Sequence, residues 1–163
     1  MYKFYKPIPL SPYLILILIP NICNLNLSTF YFIDLMLSAA KTLAELNPNM
    51  TFIYVSGSGT DSTESGRTMW ARVKGRTDNE LLCLLFKAAY MFRTGLIIPA
   101  NGVKSKTKLY QLMYDVRKPF NPLLKRFGGV ITSEKLGRAL VRVGKYGYAH
   151  SIIESSDLKK IGT

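Results

Sequence analysis

Thr51-Phe-Ile-Tyr-Val-Ser-Gly-Ser-Gly-Thr60, followed after a polar stretch by Trp70-Ala-Arg-Val-Lys74, is the part of this 163-residue chain whose reading decides the fold. The run Thr51 to Ser56 is β-branched and aromatic. It is bounded by Pro48-Asn49 before and Gly57-Ser-Gly59 after, which reads as a buried strand entering a loop. From Thr68 the period changes: Trp70, Val73, Thr77, Leu81 and Leu84 recur at helical spacing. Trp70 and Lys74 stand at i and i+4, one turn apart on one face. A Trp on an apolar helical stripe is by itself ordinary core packing. A Lys there is less ordinary, because an ammonium on a buried face needs a partner.

Working outward, Phe30 to Leu46 has helical spacing through Phe30, Ile33, Leu37, Ala40, Leu43 and Ala44, with Ser28 or Thr29 placed to cap it and Pro48 to stop it. On the other side, Lys87 to Phe92 reads as a short apolar strand ending at Arg93-Thr94-Gly95. Beyond Asn101 the sequence predicts a basic segment and a helix from about Ser105 to Arg117. A loop broken by Pro and Gly follows, then a helix near Ser133 to Lys145 and a last strand near Ser151 to Glu154. Strands and helices alternate with connections long enough for crossovers, so the expected fold class is α/β, a parallel sheet flanked by helices with right-handed crossovers. Ligands of such sheets bind beyond the carboxyl ends of the strands, where Ser56, Ser58 and Thr94 fall.

Residues 1–30 admit two readings. The basic, aromatic start and the run Leu14-Ile-Leu-Ile-Leu-Ile19 have the outline of a signal peptide, but no small-residue cleavage site follows Pro20. The run is also shorter than the ~20 residues of a membrane-spanning helix. The preferred reading is a fully buried parallel strand from Tyr13 to Ile19, and the alternative is a membrane-associated segment.

The formal charge of +12 comes from 22 Lys and Arg against 10 Asp and Glu. These cations are scattered in short clusters with no aromatic-interleaved signature of RNA binding, so the sequence carries no clear nucleic-acid motif. Arg138, Arg142 and Lys145 do share one face of a helix, which the plain reading takes as solvated. The two cysteines, Cys23 and Cys83, stand in apolar surroundings at no metal-ligand spacing, implying a reduced, cytoplasmic setting. The single His150 reads as a surface or structural residue, and no metal site is expected.

A Ser at a strand end followed by aromatic-x-x-x-Lys on the next helix resembles the short-chain dehydrogenase/reductase superfamily, whose signature is Ser with Tyr-x-x-x-Lys. Tyr54-Val-Ser-Gly-Ser-Gly-Thr-Asp-Ser-Thr63 with Met69-Trp-Ala-Arg-Val-Lys-Gly75 is similar to atypical bacterial members of the NAD-dependent epimerase/dehydratase-like kind. This likeness covers about Tyr31 to Asp157. It implies a partial Rossmann-like domain over residues 31–163, the C-terminal half of a doubly wound fold. It also implies that Lys74 holds the ribose of NAD or NADP, and that Ser56 or Ser58 polarises a carbonyl or a cofactor amide. Trp70 takes the position of the catalytic Tyr, and an indole, with one N–H and no useful acidity, is no general acid. Arg93, Thr94 and Gly95 correspond to a family Arg-Pro-Gly near the nicotinamide, with Thr94 as a departure. Gly57-x-Gly59-x-x-Ser62 is a degraded dinucleotide fingerprint, which a flexible polar active-site loop explains better.

Before Tyr31 the family's Gly-rich pyrophosphate loop is missing, so the resemblance implies a truncated protein, weakly active or inactive. An open sheet edge further implies a homo-oligomer or a covering partner. The expected function is therefore an NAD(P)-dependent oxidoreductase or epimerase acting on a small molecule. The alternative is a non-catalytic interaction module that uses its basic surface or is held at a membrane by residues 1–30.

Overall fold

A computed structural model of the protein describes residues 13–16, 27–98 and 129–163. In chain order it contains β1 (Tyr13–Leu16), α1 (Leu27–Leu46), β2 (Thr51–Gly57), α2 (Met69–Leu82), β3 (Ala88–Thr94), β4 (Leu96–Ile98), β5 (Val130–Thr132), α3 (Ser133–Tyr146), β6 (Ile152–Glu154) and α4 (Ser155–Ile161). The fold is α/β. Four parallel strands form one sheet in the order β1-β2-β3-β6, and β4 and β5 form a separate parallel pair. The expected helix from Ser105 to Arg117 and the Pro- and Gly-broken loop lie outside the described residues.

Successive side chains of a strand point to opposite faces, and β2 separates two cores in this way. Ile53 and Val55 pack with Tyr90 and Phe92 of β3, Ile131, Ile153, Leu158 and the α3 residues Leu136, Ala139, Leu140 and Val143. Phe52 and Tyr54 turn the other way, onto Met91, Leu81 of α2 and Ile33, Met36, Leu37 and Ala40 of α1. Burial on both faces is why β2 reads as a continuous apolar run rather than an alternating one. Phe52 also stacks on Phe86, with ring centroids 4.7 Å apart and planes 6° from parallel.

Because α1 and α2 lie on one face while the strands advance in one direction, the β1-α1-β2 and β2-α2-β3 units share one hand. Helices α3 and α4 cover the opposite face, which completes the helix-sheet-helix layering of a partial Rossmann-like fold. The strand reading of the Tyr13 region holds in its first part: β1 runs from Tyr13 to Leu16 in parallel register with Thr51 to Tyr54.

Several details differ from the sequence reading. Helix α1 begins at Leu27, so Ser28 and Thr29 fall inside its first turn instead of preceding it. Strand β3 extends to Thr94 and starts at Ala88. Strands β4 and β5 and helix α4 were not foreseen, since three-residue strands are too short to display a period and the β4-β5 pairing joins segments far apart in sequence. Cys83 is exposed rather than apolar in its surroundings, because it caps the C-terminus of α2 at the surface. Among the described residues no helix is long and apolar enough to cross a membrane.

Candidate functional site

The carboxyl ends of β2 and β3 lie side by side, with Ser56 opposite Arg93 and Gly57 opposite Thr94. The ladder continues one step further, since the Ser58 amide donates to the Thr94 carbonyl at 2.7 Å. The Thr94 hydroxyl returns to the Ser56 carbonyl at 3.3 Å. Gly59 then turns the chain at φ +81°, a left-handed conformation that a side chain would strain. The turn closes through the Thr60 hydroxyl, which donates to the Gly57 carbonyl at 2.6 Å and lies 3.3 Å from the Ser56 hydroxyl. Ser56 is buried and Ser58 exposed, so the two serines that sequence could not separate occupy different environments.

Helix α2 starts after Thr68 and carries Trp70 and Lys74 over this turn. Both contact the glycine pair directly. A Cβ on Gly57 would stand 2.6 Å from Lys74 Nζ, and one on Gly59 would stand 3.3 Å from the Trp70 ring. The Lys74 ammonium also lies over the indole, 5.6 Å from its centroid. A side chain at Gly57 would crowd the ammonium at the end of β2, and Trp70 walls its flank.

Beneath the turn lies a buried polar cluster that the sequence reading did not predict. Ser56 and Arg93 share the α2 face of the sheet, and Asp78 of α2 faces them with no exposure at all. Arg93 donates from Nε and Nη2 to Asp78 Oδ2 at 3.1 and 3.0 Å, and from Nη2 to the Ser62 hydroxyl at 2.6 Å. Its Nη1 lies 3.7 Å from Glu154 of β6. Burial pushes the Asp78 carboxyl above its ordinary range, while the neighbouring Ser56 hydroxyl, Arg93 and Lys74 act against that shift. Tyr54 is displaced upward as well, by burial first and then by the Asp78 charge.

The loop between Ser58 and Thr68, expected from its composition to be a flexible polar loop, is closed by internal hydrogen bonds and tied to α2. Asp61 Oδ1 accepts from the Thr63 amide and hydroxyl at 3.0 and 2.6 Å, and Oδ2 accepts from the Gly66 amide at 2.6 Å. These hydrogen bonds hold the Asp61 carboxyl below its ordinary value, the Thr63 hydroxyl contributing most. Arg72 donates to the Gly66 carbonyl at 2.8 Å and Asn79 to the Ser62 carbonyl at 3.0 Å, tying the loop to α2. Residues of turn-forming type here serve internal hydrogen bonds. The helix begins only at Met69, so the Gly57-x-Gly59 pair does not open onto a helix N-terminus as a dinucleotide fingerprint requires.

Of the candidate residues, the fold brings Ser56, Ser58, Trp70, Lys74 and Thr94 together at one end of the sheet. Gly95 adjoins them: its amide donates to the Ser155 hydroxyl at 3.1 Å, and a Cβ there would collide with the Gly129 carbonyl, so its place is set by close backbone packing. Arg93 is directed inward, onto Asp78. Asp78, Ser62 and Thr60 are the additions. Asp78 was findable, since it follows Lys74 by four residues and so shares its face, the position where a buried-side ammonium's partner belongs. His150 is exposed, edge-on to Tyr148 at 6.3 Å between ring centroids. Among the described residues no group of His, Cys, Asp or Glu is assembled to hold a metal ion.

No protein-family model matches this sequence, and a search of curated proteins finds no match.

Proposed function

We propose that the chain binds a nicotinamide nucleotide at the carboxyl ends of β2 and β3, as an oxidoreductase- or epimerase-like protein of the atypical short-chain dehydrogenase class. The observation that carries this reading is the seating of the Lys74 ammonium against Gly57. A Cβ on Gly57 would stand only 2.6 Å from Nζ, so the cation lies close against a strand end where parallel α/β sheets take their ligands. Lys74 would hold the ribose hydroxyls, and Thr94 and Gly95 would border the cofactor. NAD or NADP, when bound, supplies a hydride acceptor or donor.

The residues present support binding more than turnover. Ser56 is the better-supported positioning hydroxyl, since it lies on the Lys74 side of the sheet and is oriented by Thr60. Trp70 has no proton to exchange near neutrality, so a reaction needing a general acid would proceed weakly at this site or not at all. A cytoplasmic setting, where such cofactors are abundant, belongs to the same reading.

Titration of the folded chain with NADH and with NADPH, followed by cofactor fluorescence, tests it. Saturable binding that Lys74→Ala abolishes is expected. Absence of binding at millimolar cofactor by a folded sample removes the reading.

A further inference from the structure

Helix α3 packs its Leu136, Ala139, Leu140 and Val143 stripe onto the sheet and presents its other face outward. That face, together with the end of α4, forms an open groove of about 590 Å³ lined by Arg138, Val141, Arg142, Lys145, Tyr146 and Ile161, among others. Two large apolar side chains stand exposed in it, Val141 at 63% and Tyr146 at 73%. Around them the cations recur at i, i+4 and i+7, a spacing that spreads them over about 10 Å of helix axis. Each makes a contact within the chain. Arg138 donates to Glu134 at 2.6 Å, Arg142 Nη1 donates to the Ile161 carbonyl at 2.8 Å, and the Lys145 ammonium lies 5.1 Å from the centroid of the Tyr146 ring.

We propose that this groove docks an acidic amphipathic helix of a partner protein, with apolar residues set on Val141 and Tyr146 and carboxylates set against Arg142 and Lys145. Charge complementarity and spacing select this occupant. A helix repeats its side chains every three to four residues, so one carrying Asp or Glu at i, i+4 and i+7 matches the cation row turn for turn. A second copy of α3 would oppose like charges across the contact, which is unfavourable. Nucleic acid fits less well, because three cations on one helix face offer few of the phosphate contacts on which such binding depends. A phosphate backbone would also leave the exposed Val141 and Tyr146 without apolar contact. Apolar anchors ringed by charge are instead the composition of a peptide-binding groove.

The test uses the full chain and three probes measured by fluorescence polarisation or sedimentation. They are a labelled synthetic helix with interleaved Leu and Glu stripes, an oligothymidylate, and vesicles of phosphatidylserine and phosphatidylcholine. A control peptide carries Lys in place of each Glu. The acidic peptide is expected to bind saturably and the Lys peptide not. Arg142→Glu with Lys145→Glu should weaken the acidic peptide by at least about tenfold. Val141→Asp should weaken it comparably through loss of the apolar anchor. All three positions are exposed, and circular dichroism establishes that the variants are folded. The proposal is overturned if the acidic peptide fails to saturate, if neither variant changes its affinity, or if only the oligonucleotide or the vesicles bind and lose binding in the charge-reversed variant.

Discussion

Arg93 directs two of its N–H groups, Nε and Nη2, onto a single oxygen of Asp78, leaving the other oxygen, Oδ1, without a hydrogen-bond partner among the described residues. Both side chains are almost wholly removed from water, at 8% and 0% exposure. A pair so placed gains strong attraction in a medium of low dielectric constant, yet pays for the desolvation of both charges. Its clearest structural effect is to join α2 to β3 directly beneath the turn that carries Ser56 and Gly57.

Removing one partner should therefore be much worse than removing both. Arg93→Met leaves the Asp78 carboxylate buried and unpaired and is expected to cost about 3–5 kcal/mol, whereas Arg93→Met with Asp78→Leu should recover most of the loss. The sign of the pH dependence follows from the raised carboxyl. The folded protein holds a proton on Asp78 at pH values where the unfolded chain, at an ordinary 3.8, has lost it. Stability thus declines as pH rises from 3.8 through the folded value, and the Arg93→Met deficit should shrink on acidification. Urea unfolding of the single and double variants at several pH values decides the matter, and equal deficits for both variants would refute it.

How far the sequence foretold this arrangement depends on the kind of residue. Thr51 to Gly57, Met69 to Leu82 and Ser133 to Tyr146 declare themselves because long apolar patterns report which faces are covered, and the structure covers them. Lys74 was separable from the other lysines by its place on a buried stripe. The inward turn of Arg93 was not legible, because a guanidinium at a strand end serves a ligand or an interior carboxylate equally well on pattern alone. Only the register Ser56 to Arg93 and the approach of α2 decide it. The hydrogen bonding of residues 58–68 was hidden for a similar reason: Gly, Ser, Thr and Asp suit a mobile loop and a hydrogen-bonded one alike.

Asp61 gives that hydrogen bonding a measurable signature. Asn in its place keeps one acceptor but presents an NH₂ where the Gly66 amide now donates at 2.6 Å, so two donors face each other. Asp61→Asn should lower the melting temperature near neutrality and quicken amide exchange at Gly66. Because the folded carboxyl lies below 3.8, the stabilisation is fully present above that pH and is lost as pH falls through the folded value. Wild-type and variant melting temperatures should consequently converge in acid. A difference that persisted unchanged there would contradict an ionic origin.

Gly75 sets two magnitudes against each other. Ala is favoured over Gly inside a helix by about 1 kcal/mol, and Gly75 lies in the middle of α2. A Cβ there, however, would overlap the backbone carbonyl of Asp61, and backbone yields less readily than the end of a side chain. Overpacking of this sort costs about 1–3 kcal/mol, occasionally more. Gly75→Ala is accordingly expected to destabilise. Gly137→Ala in α3, where a Cβ meets nothing within 4 Å, should raise the melting temperature. The pair forms an internal control, and stabilisation by both would show that the Asp61 loop does not press on α2.

Trp70→Tyr probes the electrostatics of the candidate site without a substrate. The new phenol would project over the glycine turn from the position now held by the indole, whose centroid lies 5.6 Å from the Lys74 ammonium. A nearby cation favours the phenolate, so this Tyr should titrate below the ordinary value of about 10. Near-ultraviolet difference absorption between the variant and the wild type isolates it from the ten native tyrosines. Adding Lys74→Met should return the titration toward 10, which separates the effect of the ammonium from that of partial burial, since burial acts in the opposite direction. A phenol that titrated at or above 10 with Lys74 present would mean that the ammonium is too far away or too well hydrated to lower a neighbouring pKa. In the resembled superfamily the Lys also lowers the pKa of the catalytic Tyr, so Lys74 would then be unsuited to that duty, and only the contact with a ribose would remain to be tested.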